Sequence, residues 1–84
     1  MTKQISYGQL HRALLKLRFV ETNSETRCKA YHHSDTNTLI LLANRRPERF
    51  AREPEVRSVI RHVVEKGIAP QEELERLFDA VALP

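Results

Sequence analysis

The chain has 84 residues, of which 40% are hydrophobic and none is tryptophan, so it can build one mainly aliphatic core but not two. Its single cysteine permits no internal disulfide, and its longest purely apolar run, residues 39–43, is far too short to span a bilayer. These limits exclude a disulfide-stapled scaffold and a transmembrane protein, and predict one soluble, cytoplasmic domain over residues 1–84. Residues 1–66 carry 13 Lys/Arg against 7 Asp/Glu, which suggests a polyanionic partner such as RNA, with a mixed, solvated surface as the alternative.

The first quarter of the chain predicts a helix followed by a strand. Ser6 and Gln9 fit a capping box at the start of the helix. Apolar residues then recur at helical spacing, namely Tyr7, Leu10, Leu14 and Leu17, and polar residues take the opposite side, namely Gln9, Arg12 and Lys16. Phe19-Val20 begins a short strand, which ends in turn residues at 23–25.

The middle of the chain predicts a hairpin, with strands at 27–33 and 38–43 joined by a tight turn at 34–37. The apolar run TLILLA of the later strand indicates a central or well-covered position in the sheet. Tyr31 is the largest apolar group of the earlier strand, so we expect its face to point inward. Lys29 and His33 then lie toward the ends of the sheet, and the open face carries Cys28, Ala30 and His32.

The last third of the chain predicts two helices. Pro54 suits the first turn of one, and Gly67 suits the left-handed residue after its last turn, with Ile68 folding back on Val63. The next helix starts at Pro70. The predicted class is therefore α+β, in the order α-β-β-β-α-α, with a three-stranded antiparallel sheet and the helices packed on one face.

The segment RCKAYHH brings the only cysteine close in sequence to two histidines. In a strand, Cys28 and His32 share a face but lie roughly 13 Å apart, four steps of about 3.3 Å, and His33 points to the other face. This spacing suits neither a zinc site nor a cysteine–histidine catalytic pair, and nothing in the pattern positions His11 or His62 to complete one. We therefore expect no metal and no other cofactor.

The segment NRRPERFAREP carries four arginines within eight residues, beside an aromatic ring. Guanidinium groups bind phosphates and an exposed ring stacks on a base, which predicts an RNA-binding surface made of Arg45, Arg46, Arg49, Phe50 and Arg52. Arg27 and Lys29 extend this surface if the fold gathers them. In the alternative interpretation, Arg49 and Arg52 pair with Glu48, Glu53 and Glu55, and Phe50 covers the core.

Three segments together resemble the HicA (YcfA-like) family of small toxins from bacterial toxin–antitoxin systems. They are YGQLHRALLKLRFVE, KAYHHSDTNTLILLA and EVRSVIRHVVEKGIAPQEELERLF, and they cover nearly the whole chain. The resemblance implies a single HicA-like domain with a fold like that of double-stranded-RNA-binding domains (dsRBD-like). It also implies a metal-independent endoribonuclease (an mRNA interferase) that binds mRNA and is neutralised by a HicB-like antitoxin protein.

The sequence departs from the family at the catalytic position. The family carries Gly-Ser-His at the start of the second strand, with the histidine as catalytic residue, whereas the matching tripeptide here is Thr26-Arg27-Cys28. An unperturbed thiol, with a pKa of about 8.5, is a poor substitute for imidazole in proton transfer at neutral pH. If the chain cleaves RNA, His32 and His33 are the acid/base candidates, with Arg27 and Lys29 stabilising the phosphate. The alternative is a non-catalytic module that binds an antitoxin-like or other protein partner.

Overall fold

A computed structural model describes residues 4–24 and 27–82 of the chain. Its elements are α1 (Tyr7–Lys16), β1 (Val20–Ser24), β2 (Cys28–His33), β3 (Thr38–Ala43), α2 (Glu53–Glu65) and α3 (Gln71–Ala80). The strands form one antiparallel sheet in the order β1-β2-β3, and the helices pack on one of its faces. The predicted class and element order are confirmed. Within the described ranges, no helix is long and apolar enough to cross a membrane.

Both ends of α1 are fixed by local hydrogen bonds. The predicted capping box is present: the Gln9 amide donates to Oγ of Ser6 at 3.1 Å, and the Ser6 amide donates to Oε1 of Gln9 at 2.9 Å. At the other end, Arg18 takes the left-handed conformation with φ of 73°, and the Phe19 amide donates to the Leu14 carbonyl at 2.9 Å. This turn directs Phe19 into the core immediately before β1.

The end of α2 follows the sequence prediction closely. Gly67 has φ of 70°, and the Ile68 amide donates to the Val63 carbonyl at 3.0 Å. This bond satisfies a carbonyl that the last turn of the helix leaves free, and the reversal leads the chain into α3.

Two polar side chains of α1 contact α3. Nε2 of Gln9 donates to the carbonyl of Phe78 at 3.0 Å, and Nε of Arg12 donates to the carbonyl of Val81 at 2.9 Å. These carbonyls lie at the end of α3, where no helical amide is available to them. The side of α1 opposite its apolar stripe thus joins the two helices.

The core lies between the sheet and the helices, with β2 at its centre. Tyr31 is only 1% exposed, and Cys28, Ala30 and His32 lie half-buried on the face of the sheet that the helices leave open. The expected orientation of β2 is therefore confirmed. The largest fully buried side chains are Leu10, Leu14, Phe19, Tyr31, Val59, Val63, Leu74 and Phe78.

The prediction that TLILLA is central or well covered is wrong. β3 is an edge strand that pairs only with β2, and Leu39 and Leu41 are 54% and 61% exposed on the open face. In a three-stranded meander the middle strand in sequence is also the middle strand in space. Because the helices cover only one face of the sheet, only the inward residues of β3, Ile40 and Leu42 among them, reach the core.

Candidate nucleic-acid interface

The segment from Asn44 to Arg52, which we call the arginine loop, is held against the first turn of α1. The amides of Tyr7 and Gly8 donate to the carbonyls of Arg49 and Pro47, each at 2.9 Å. The first amides of a helix have no partner within the helix, so the loop supplies the acceptors that they need. Its backbone is thereby fixed while its side chains stay outside.

This close approach depends on Gly8. A Cβ atom at this position would lie 3.1 Å from the Pro47 carbonyl oxygen and 3.2 Å from Pro47 Cβ and from Nη1 of Arg12. These separations are tighter than ordinary van der Waals contact, so a side chain here would push the loop away from the helix. The sequence pattern did not single out Gly8, because the constraint comes from a residue 39 positions away.

The arginines of the loop form no direct ion pair with the described acids, although Glu55 lies in the same depression as Arg45 and Arg52. Arg45, Arg46, Arg49 and Arg52 are all exposed, and none forms an ion pair with a carboxylate of residues 4–24 or 27–82. The acids expected to pair with Arg49 and Arg52 have other partners: Glu53 accepts from Arg57, and Glu55 accepts from Tyr7 and from the Ala43 amide. The alternative interpretation of this segment is therefore wrong for these two acids. It is also wrong for Phe50, which is 58% exposed rather than buried on the core.

Tyr7 and Glu55 form the inner edge of this surface. Burial raises the pKa of Tyr7 above its ordinary value, and the hydrogen bond to Glu55 and the charge of Glu55 raise it further. The charges of Arg45 and Arg52 oppose this shift, because both guanidinium groups lie near the ring. The first and last arginines of the loop thus lie on the same side of α1.

The fold also brings Arg27, which directly precedes β2, and Lys29 of β2 close to the loop. Cys28 pairs with Ala43, and the Asn44 amide donates to the carbonyl of Arg27 at 2.9 Å, so Arg27 lies beside the start of the arginine loop. Lys29 is half-buried on the inward face and lines the same cleft as Arg45. Arg27, Lys29, Arg45 and Arg52 therefore lie toward one end of the sheet, and the backbone of Arg49 and Phe50 lies against the start of α1.

The predicted catalytic residues are not brought together. Cys28 lies at the loop end of β2, whereas His32 pairs with Leu39 toward the other end and its Nε2 donates to Oδ1 of Asn37 at 3.0 Å. His33 is only 7% exposed, contacts the ring of Phe19, and shares a 2.8 Å hydrogen bond with the Thr36 hydroxyl. Across the described part of the chain, no group of three or more potential ligands could hold a metal ion.

A further pair, which the sequence did not reveal, joins α1 to β2. Nδ1 of His11 lies 2.8 Å from the Tyr31 hydroxyl and 3.8 Å from Oε1 of Glu21, and the two rings meet edge to face. Burial, and then the charge of Glu21, raise the pKa of Tyr31 to about 12, so its phenol keeps its proton at neutral pH. The two residues are 20 positions apart, and no local pattern could have paired them.

His11 and Tyr31 lie in the wall of a cleft of about 180 Å³. The cleft opens between α1 and the loop end of β2 and β3, and its charged lining residues are Arg12, Lys29 and Arg45. Its other lining residues are Tyr7, Gly8, Leu42, Ala43 and Pro47, so no carboxylate of residues 4–24 or 27–82 lines it.

Comparison with known proteins gives no match: no protein-family model, no curated protein and no solved structure is similar to this chain. The fold and the surface define a small α+β domain with an arginine-rich end.

Proposed function

We propose that the chain is a HicA-like RNA-binding protein whose arginine loop contacts the phosphate backbone. The proposal rests on one observation: four exposed arginines form no ion pair with any described carboxylate, and their backbone is anchored to α1. An exposed arginine that is already paired gains little from a phosphate, whereas an unpaired one can offer its full fork of donors.

The exposed ring of Phe50 supports the same proposal. It lies between Arg49 and Arg52 in sequence, and more than half of its surface is open to solvent. Stacking of a base on an aromatic ring contributes about 1–3 kcal/mol in single-stranded nucleic-acid binding and is largely independent of base identity. We therefore favour single-stranded RNA, with mRNA the natural substrate class that the HicA resemblance implies.

Cleavage of RNA is not part of what the geometry supports. Cys28 occupies the position of the family's catalytic histidine, and neither His32 nor His33 lies beside it. Two further parts of the proposal rest on the resemblance to HicA alone. They are the dsRBD-like fold and the HicB-like antitoxin partner.

A non-catalytic protein-interaction module is the second candidate, and the open face of the sheet favours it. Val20, Leu39 and Leu41 are each more than half exposed on this face. Apolar groups gathered on one surface are typical of protein contacts. This candidate requires no RNA binding, so the two functions are separable by experiment.

The test is binding of a labelled single-stranded RNA and of a duplex RNA over a series of salt concentrations. Each phosphate contact on a single strand contributes about −0.7 to the slope of log affinity against log salt, so four arginine contacts predict a slope of about −3. A flat slope or absence of binding would contradict the proposal and favour the protein-interaction module.

A further inference from the structure

We propose that the cleft between α1 and the loop end of the sheet binds a single phosphate group through Lys29, Arg12, Arg45 and His11. The site is distinct from the outer surface of the arginine loop, because Lys29, Arg12 and His11 belong to the sheet and to α1. Arg45 belongs to both the loop and the cleft, and Lys29, which extends the RNA-binding surface, also lines the cleft.

Lys29 gives the first reason. Its side chain is half-buried on the inward face of β2, and it makes no hydrogen bond or ion pair with the described residues. Lys29 lines the cleft, so an anion bound there would supply its ammonium group with the counter-charge that the described residues do not provide.

Arg12 is already oriented toward the same space. Its Nε donates to the Val81 carbonyl at 2.9 Å, and its Nη1 lies 3.2 Å from the point where a Cβ of residue 8 would stand. Nε of the guanidinium is thus held at the end of α3, while Nη1 lies over Gly8, which lines the cleft. A guanidinium fixed in this way binds an oxyanion with less loss of side-chain entropy than a free one.

His11 supplies a hydrogen-bonding ring nitrogen. Its Nδ1 is engaged by the Tyr31 hydroxyl, and its Nε2 has no partner among the described residues. When the Tyr31 hydroxyl donates to Nδ1, Nε2 carries the ring proton and can donate to a phosphate oxygen. Tyr31 is therefore a positioning residue for His11.

Size and charge narrow the ligand class. A cleft of about 180 Å³ is below the ~300–1,000 Å³ of pockets that enclose drug-sized ligands, so it fits a phosphate rather than a whole nucleotide. Glu21 and Glu55 contact His11 and Tyr7, but neither lines the cleft. Three cations around a space that none of the described carboxylates lines favour an anion.

The phosphate can belong to an RNA end or to a small phosphorylated molecule, since both present the same group. The inference does not rest on the RNA-binding proposal, because inorganic phosphate alone is its primary probe. Saturable phosphate binding by a chain that fails to bind RNA would support this site and contradict the proposed function.

The experiment follows the ring nitrogen signals of the four histidines by NMR while phosphate replaces chloride at constant ionic strength. We expect a saturable change at His11, and none at His62, which lies on α2 away from the cleft. Lys29→Gln should weaken phosphate binding about tenfold, the loss of one charge-assisted contact. The matched change Lys66→Gln, at the exposed end of α2, should leave it unaltered.

Arg45→Gln is a second test at an exposed position, where the fold is not at risk, and we expect it to weaken phosphate binding as well. The inference would be overturned by equal changes at His11 and His62 or by a response that does not saturate. It would also be overturned if phosphate affinity were unaltered in both Lys29→Gln and Arg45→Gln. Competition by 5′-phosphorylated but not 5′-hydroxyl RNA would support an RNA end as the source. Absence of competition by either RNA would support a small phosphorylated molecule.

Discussion

The amide of Gly8 donates to the carbonyl of Pro47 at 2.9 Å, and this contact seats the arginine loop on the first turn of α1. A loop whose backbone is already ordered loses less conformational entropy when its side chains bind a ligand. Gly8 has no side chain that could bind a ligand, but we expect its contact with Pro47 to strengthen the proposed RNA binding.

Gly8→Ala tests this link. Alanine is favoured over glycine by about 1 kcal/mol in a helix, but overpacking against Pro47 and Arg12 costs roughly 1–3 kcal/mol. We expect a net loss of about 1 kcal/mol in the free energy of unfolding, measured by urea denaturation, together with weaker RNA binding.

Gly67→Ala is the matched control. Gly67 has φ of 70°, and no atom lies within 4 Å of an added Cβ, so alanine there costs about 1 kcal/mol of backbone strain alone. RNA binding should be unchanged in this variant. A more stable Gly8→Ala protein, or equal RNA binding by both variants, would show that the close approach does not hold the loop.

The buried phenol of Tyr31 predicts a loss of stability at high pH. Its pKa is raised from 10 to about 12, because burial disfavours the charged form. Below pH 10 the phenol is protonated in both the folded and the unfolded protein, so the folded protein keeps its full stability. Above pH 10 the phenol of the unfolded chain ionises first, which favours unfolding. We therefore expect the free energy of unfolding to fall by about 2–3 kcal/mol between pH 10 and 12.

Ultraviolet titration of tyrosinate checks this directly, because the chain has only two tyrosines. Both should ionise above pH 10, with Tyr31 the group near 12. In Tyr31→Phe the titration near pH 12 should disappear, and stability at neutral pH should fall by about 1 kcal/mol with the lost hydrogen bond to His11. Ionisation of Tyr31 near pH 10 would contradict the buried geometry.

Phe50 separates the two candidate functions. If a base stacks on its ring, Phe50→Ala should weaken RNA binding by about 1–3 kcal/mol. Leu41→Ala, at a similarly exposed apolar position on the open face, should leave RNA binding unchanged. Both side chains are more than half exposed, so neither change should greatly affect stability. Equal RNA binding by wild type and Phe50→Ala would show that no base stacks on Phe50.

A cleavage assay tests the consequence of the cysteine at the family's catalytic position. We expect the wild type to bind RNA without cutting it, since Cys28, His32 and His33 do not form one site. Cys28→His should gain cleavage if the resemblance to HicA is correct, because imidazole transfers protons efficiently near neutral pH. Wild-type cleavage that is lost in His32→Ala would contradict the expectation and restore His32 as an acid/base group.

The sequence predicted the features that depend on neighbouring residues. The capping box of Ser6 and Gln9, the left-handed Gly67 and the inward face of Tyr31 follow from helical and strand periodicity, and all three are present. Each involves groups within a few positions of one another, where the chain geometry leaves few choices.

The features that were missed or wrongly predicted depend on distant segments. The exposure of Leu41 follows from its place on the face of the sheet that no helix covers, which an apolar run does not reveal. The hydrogen bond of His11 to Tyr31 and the approach of Pro47 to Gly8 span 20 and 39 positions, and only the packing of α1 creates them. The cleft, which these contacts form, was therefore invisible in the sequence.

We propose that the arginine loop, rather than the overall positive charge, binds RNA. The most direct measurement compares the RNA affinity and salt slope of two equally charged variants. One is Arg46→Gln with Arg49→Gln in the loop, and the other is Arg61→Gln with Lys66→Gln on exposed positions at α2. We predict that the loop variant binds at least about tenfold more weakly, with a slope shallower by roughly 1.4, and that the α2 variant binds like the wild type. Equal losses in the two variants would contradict the claim, because the binding would then follow net charge alone.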